Sequence, residues 1–158
     1  MELDRTDQSL IAIRRILRST EIYGREIAKR AGVTPAQIRV LQIVAETGSA
    51  TPKAIAKRMG VSQPTMTSLV DRLAAKKLVE RHPSEVDRRQ TDIVITALGH
   101  SAVDQAPDAL QQRYVQQFES LEDWEQSMII AALERVAGML DAQDIDASPV
   151  LDIGELGK

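Results

Sequence analysis

Between Ser62 and Arg72 the sequence SQPTMTSLVDR sets short hydroxyl groups at close intervals and ends on a cation. At 100° per residue, Met66, Leu69, Val70 and Leu73 form one stripe of a helix, while Pro64, Thr67, Ser68, Asp71 and Arg72 form the opposite side. The apolar stripe packs inward, so the hydroxyl side faces out. Small polar groups near a helix start let it approach a surface closely, and positive charge one turn later suits a polyanion. A helix lying in a DNA major groove needs both. The same pattern also suits an ordinary amphipathic helical hairpin, and the next segment favours DNA: PSEVDRRQ places Arg88 and Arg89 at a basic tip.

The elements that must position these groups follow from local chemistry. Residues 50–79 read as two short helices with a tight turn, the first running from about Pro52 to Met59. Proline is tolerated in the first turn, where its missing N–H has no helical partner, and Gly60 takes the positive φ that ends a helix cheaply. Ser62 caps the second helix; since Pro64 has no N–H to donate, the amide of Thr65 is the expected donor. After it, Leu78 to His82 and Thr91 to Thr96 read as two strands of a β-hairpin, the latter alternating with Ile93 and Ile95 on one side. A hairpin directly after a recognition helix is a wing.

Upstream, a helix from about residue 7 to 30 carries Leu10, Ile13, Leu17, Ile27 and Ala31 near one face, with Arg14, Arg15, Arg18 and Arg25 around it. Thr34 caps a second helix with Pro35 at its first position, running to about Thr47. Its apolar residues cover most of the circumference, which marks it as the central core helix. Downstream, Ala102, Ala106, Leu110, Tyr114 and Phe118 predict one long helix from Ala97 to about Glu119, kinked rather than broken at Pro107. Ser120 to Asp123 reads as a capping box that opens a last helix to about Ala142, with Trp124, Met128, Leu133, Val136 and Leu140 inward or at an interface. The acidic tail contains Pro149, Val150, Leu151, Ile153 and Leu156, and suits either disorder or docking onto a partner subunit.

Composition narrows the function. The 158 residues suit one domain, or one with a small appendage, and with one Trp and one Phe the aliphatics must fill the core. No apolar run approaches the ~20 residues of a membrane span, and no signal peptide is visible, so a cytoplasmic protein is expected. The absence of cysteine excludes disulfides and thiolate chemistry within this chain. His82 and His100 are isolated and read as surface or turn residues, so neither a metal nor another cofactor is expected. No grouped nucleophile, base and acid and no phosphate-binding glycine loop point to an enzyme. The net charge of −3 is unevenly spread: residues 1–49 carry 8 basic and 6 acidic groups, residues 50–96 carry 9 and 5, and residues 97–158 carry 3 and 12. A polyanion is attracted to the middle of the chain and repelled by its end.

Over roughly residues 7–142 the chain resembles the MarR-type winged-helix transcriptional regulators. The resemblance rests on TPAQIRVLQIV, on IAKRMGVSQPTMTSLVDRLAAKKLV, and on a wing with Asp87, Arg88 and Arg89 followed by Ile95 and Thr96. It implies a mainly α fold with a small β-hairpin wing: a winged helix-turn-helix domain over 35–96, dimerisation helices over 1–34 and 97–142, and the tail over 143–158. It implies that Ser62, Gln63, Pro64, Thr65, Thr67 and Ser68 enter the major groove and that Lys53 and Arg72 meet phosphates. One of Arg88 and Arg89 is expected in or over the minor groove, with Asp87 bracing the hairpin.

Tyr23 is placed either in an effector pocket between the first two helices and the long fifth one, or in plain core. Lys76, Lys77 and Arg81 read as solvated surface or as DNA contacts, and Asp71 as the partner of a nearby arginine. The Arg14, Arg15 and Arg18 cluster suits a bridge to the acidic C-terminal third of this chain or to a partner, or an acidic ligand. The implied function is a homodimeric, sequence-specific regulator on double-stranded DNA. A repressor responsive to a small molecule and bound to an imperfect palindrome is favoured. The alternatives are a winged-helix protein-interaction module and an activator without an effector.

Overall fold

The computed structural model describes residues 4–106 and 110–145. Helix α1 (Arg5–Ala31) begins where the Asp4 carboxylate accepts from the Thr6 amide and ends at Gly32, whose φ of 66° is left-handed. Helix α2 (Pro35–Thr47) opens on a reciprocal pair: the Gln37 amide donates to Thr34 Oγ1, and the Thr34 amide donates to Gln37 Oε1, each at 3.2 Å. Two amides that a helix start leaves unpartnered are thereby satisfied. Thr34→Ala is expected to cost about 1–2 kcal/mol, read as a lower urea midpoint at unchanged m value. An unmoved midpoint contradicts that role.

The expected core helix is the core helix. Ile38, Val40, Leu41, Ile43 and Val44 of α2 are all buried, in one cluster with Ile27, Ile55, Met66, Leu73, Val79 and Ile93. Strand β1 (Ser49–Ala50) follows, then helix α3 (Pro52–Met59) and helix α4 (Gln63–Ala75), separated by Gly60 at φ 65°. Strands β2 (Val79–Pro83) and β3 (Thr91–Ile95) form the hairpin, in register from Val79 opposite Ile95 to Pro83 opposite Thr91. Residues 49 and 50 add a third antiparallel strand, giving the order β1-β3-β2. Two residues are too short a run to show alternation, so the sequence does not announce them.

The C-terminal part departs from expectation. In place of one kinked helix there are two, α5 (Ala97–Gln105) and α6 (Leu110–Glu119). Ala106 stops the first, extended at ψ 131°, because the ring of a following proline disfavours the helical conformation in the residue before it. Pro107 itself lies outside the described residues, as does the tail from residue 146, including Val150, Leu151, Ile153 and Leu156.

Helix α7 (Asp123–Met139) is capped by Glu122 and not by Ser120: the Glu125 carboxylate accepts from the Glu122 amide at 3.0 Å. Ser120 instead donates its hydroxyl back to the Gln117 carbonyl, the local bond a helix-end serine readily makes. Of the hydrophobics expected on one face of α1, only Ile27 is buried; Leu10 and Leu17 are exposed. No residue of α7 is buried. Among the described residues no helix is long and apolar enough to cross a membrane.

Candidate nucleic-acid interface

The start of α4 is built as its sequence requires. The Thr65 amide donates to Ser62 Oγ at 3.3 Å, and the two hydroxyls lie 2.9 Å apart. Met66, Leu69, Val70 and Leu73 are buried, which turns Ser62, Gln63, Pro64, Thr67 and Ser68 outward as one exposed edge, with Thr65 half-buried behind it. Lys53 is exposed in the first turn of α3, and Arg72 is half-buried further along α4.

Long-range bonds fix the pose of α4. Lys76, expected in solvent or on DNA, donates from Nζ to the Gly32 carbonyl at 2.9 Å and to Gln37 Oε1 at 3.3 Å. One ammonium thus ties the end of α4 to the end of α1 and to the cap of α2. Asp71 pairs with Arg81, so the arginine is committed to a carboxylate on the outward side of α4 and strand β2 runs beside that side. The carboxylate that would repel phosphate is neutralised within the chain. Arg58 of α3 reaches Glu46 of α2 at 2.8 Å, and Arg39 lies 3.9 Å from the same carboxylate. Arg18 pairs with Glu21 one turn along its own helix rather than with the acidic C-terminal third of its own chain.

The wing is anchored at its base and ordered at its tip. Thr96 Oγ1 lies 2.8 Å from the Lys77 carbonyl and 3.1 Å from that of Leu78, and accepts from the Gly99 amide at 3.0 Å. At the tip the Ser84 amide donates to the Gln90 carbonyl at 3.0 Å, closing the loop, and the Gln90 amide donates to the Asp87 carbonyl at 2.9 Å. The buried Ser84 hydroxyl accepts from the Val86 amide at 3.3 Å, and the Asp87 carboxylate accepts from the Arg89 amide at 3.0 Å. Arg88 and Arg89 are both exposed on this frame. Tyr23 lies away from it, half-buried, with the Arg113 guanidinium 5.7 Å from its ring centroid.

Sequence reasoning missed Lys76, Thr96 and Ser84 as positioning groups. Ser84 had a signal, a serine just after Pro83 at a hairpin turn, where a hydroxyl readily takes the next amides. Lys76 had none, because its partners are 44 and 39 residues away.

Comparison with known proteins gives the context. The MarR family model matches residues 31–90. The HTH-type transcriptional regulator YsmB of Bacillus subtilis (strain 168) is 31% identical over 114 residues, 72% of this chain and 78% of that protein. The HTH-type transcriptional repressor MdtR of the same organism is 39% identical over 74 residues, 47% of this chain, which spans about half (48%) of that repressor's length. Among solved structures, a MepR-like protein complexed with pseudoligands superposes with a TM-score of 0.61 at 26% identity, covering 87% of this chain and 97% of that one.

Proposed function

The chain belongs to the MarR family of DNA-binding transcriptional regulators, and we propose that within it this protein is a homodimeric repressor of a pseudo-palindromic operator, released by a small molecule. The observation that carries the DNA reading is the exposed hydroxyl edge of α4, held by the Asp71–Arg81 pair beside the strand that leads to an arginine-tipped loop. In this reading Ser62, Gln63, Pro64, Thr65, Thr67 and Ser68 meet base edges and the neighbouring backbone, while Lys53 and Arg72 meet phosphates. Arg88 or Arg89 enters the minor groove, where a guanidinium suits a narrow, negative channel. The bond from Asp87 to the Arg89 amide supports a bracing role for the carboxylate.

Two heads related by a two-fold axis reach successive major grooves about 34 Å apart, which calls for an imperfect palindrome. The dimer is supported by α7, a 17-residue helix with no buried residue, and by exposed Ile16 and Leu17 on α1. A lone helix of that length is marginal in water, so its apolar surface calls for a partner, and a second copy supplies the same surface in return. Repression is supported by the name of the MdtR relative, and effector response by the pseudoligands of the MepR-like structure. Tyr23 beside Arg113 is the proposed lining of the effector pocket; an aromatic face and a guanidinium together suit an aromatic acid. With no cysteine, a thiol oxidant is excluded as the signal within this chain.

The test is binding of the purified dimer to an operator selected from a random duplex library, across a salt series. Arg89→Ala is expected to lower affinity roughly tenfold and to reduce the salt slope by about one unit if a phosphate contact is lost. Unaltered affinity and slope favour the protein-interaction module instead.

A further inference from the structure

The apex of the wing carries an apolar side chain that no other described residue covers. Val86 is 97% exposed, whereas the other exposed large hydrophobics range from 41% to 69%, most of them on helices. Its loop is well ordered by its own bonds. The amides of residues 84, 86, 89 and 90 each donate within the loop, and the hydroxyl beneath Val86 belongs to Ser84, itself only 6% exposed. Valine is β-branched and stiff about χ1, so the loop presents two methyl groups at a fixed height beside Arg88 and Arg89. A tip ordered in advance loses little conformational entropy on docking.

The neighbours narrow what this tip can meet. Glu85 and Asp87 flank it and are repelled by phosphate, which leaves the valine and the two arginines as groups suited to a groove between phosphate rows. In the minor groove an A·T pair shows only acceptors at its floor, while a G·C pair adds the exocyclic amino donor of guanine. An apolar group pressed against that donor buries it without a partner, which is costly; against an A·T floor no such donor is lost. Arginine reads the potential of a narrow groove, and valine adds a penalty for the amino group.

We propose that Val86 is a specificity-determining contact of the wing, its methyl groups set into a minor groove at A·T pairs. This rests on the DNA reading above and deepens it. A protein partner is the weaker fit, since valine is under-represented among the residues that dominate protein interfaces.

The experiment uses the full-length protein and its selected operator. Hydroxyl-radical footprinting locates the base pairs beneath the wing, and these are replaced by G·C or by inosine·C, which lacks the amino group in the minor groove. The unsubstituted protein is expected to bind the G·C duplex at least about fivefold more weakly than the inosine·C duplex. Val86→Ala should shrink that ratio to below about twofold while leaving the salt slope and the unfolding temperature unchanged, because no charge and no buried contact is removed. A Val86→Ala protein that keeps the full ratio overturns the inference, as does one that changes the slope. If the unsubstituted protein binds no duplex at all, the DNA reading fails; if Arg89→Ala weakens binding while Val86→Ala leaves the ratio intact, only the valine assignment fails.

Discussion

Exchanging Leu133 and Leu140 together for glutamate is expected to leave a monomer whose operator affinity is lower by about a hundredfold or more. Both leucines are about half exposed or more, Leu133 on α7 and Leu140 at its C-cap seven residues on, near half-buried Ile129 and Val136. Each buried leucine stabilises an interface by about 1.5–3 kcal/mol, and a glutamate there adds the cost of burying a charge without a partner. In the proposed homodimer two such changes, each counted twice by symmetry, exceed what a helical interface can tolerate. Once the subunits part, the second head no longer binds as an intramolecular event, and the avidity so lost is commonly 10²–10⁴ in affinity. Sedimentation equilibrium and operator titration read the two effects separately, while circular dichroism checks that the heads remain folded. A variant that stays dimeric with undiminished operator affinity would remove α7 from the interface.

Gly99→Ala is expected to lower stability by about 2–3 kcal/mol, or roughly 5–10 °C in Tm for a chain of this size. Helix propensity alone predicts the opposite sign, since alanine is favoured over glycine by about 1 kcal/mol in a helix interior. The local geometry decides. A Cβ on Gly99 falls 2.2 Å from the Leu78 carbonyl oxygen and 2.7 Å from Ile95 Cγ1. The isoleucine can rotate, but the carbonyl is backbone, and it also receives the Thr96 amide at 3.1 Å. Relieving the clash therefore moves α5 away from the base of the wing. Thermal unfolding at fixed protein concentration measures the loss, and an equal or higher Tm would show that the strand start yields freely.

Where local chemistry decides, the sequence was enough. The capping of α4 by Ser62, the stop at Gly60 and the burial of Met66, Leu69, Val70 and Leu73 all follow from residues within a few positions of one another. Elsewhere the competition is closer. Glu122 and Ser120 both fit the start of α7, and only the Glu125 carboxylate, returning to the Glu122 amide, distinguishes them. At Ala106 the spacing of apolar residues argued for one helix only kinked at Pro107, but the steric demand of the proline on the residue before it outweighed that spacing. Of the bonds that set the pose of the hydroxyl edge, the pairing of Asp71 with a nearby arginine was expected and is made by Arg81, while the tie from Lys76 to Gly32 joins residues 44 apart. No periodicity or spacing announces that second link. The chemistry of the proposed interface was thus legible, and its longest tie was not.

The lysine that joins the end of α4 to the end of α1 has a mechanical consequence. Its four-carbon stem is flexible, so it behaves as a cord and not as a strut. Drawing α1 away tightens the cord, and α4 must follow or the ammonium must let go of its carbonyl; pushing α1 closer slackens the cord, and this link then carries no load.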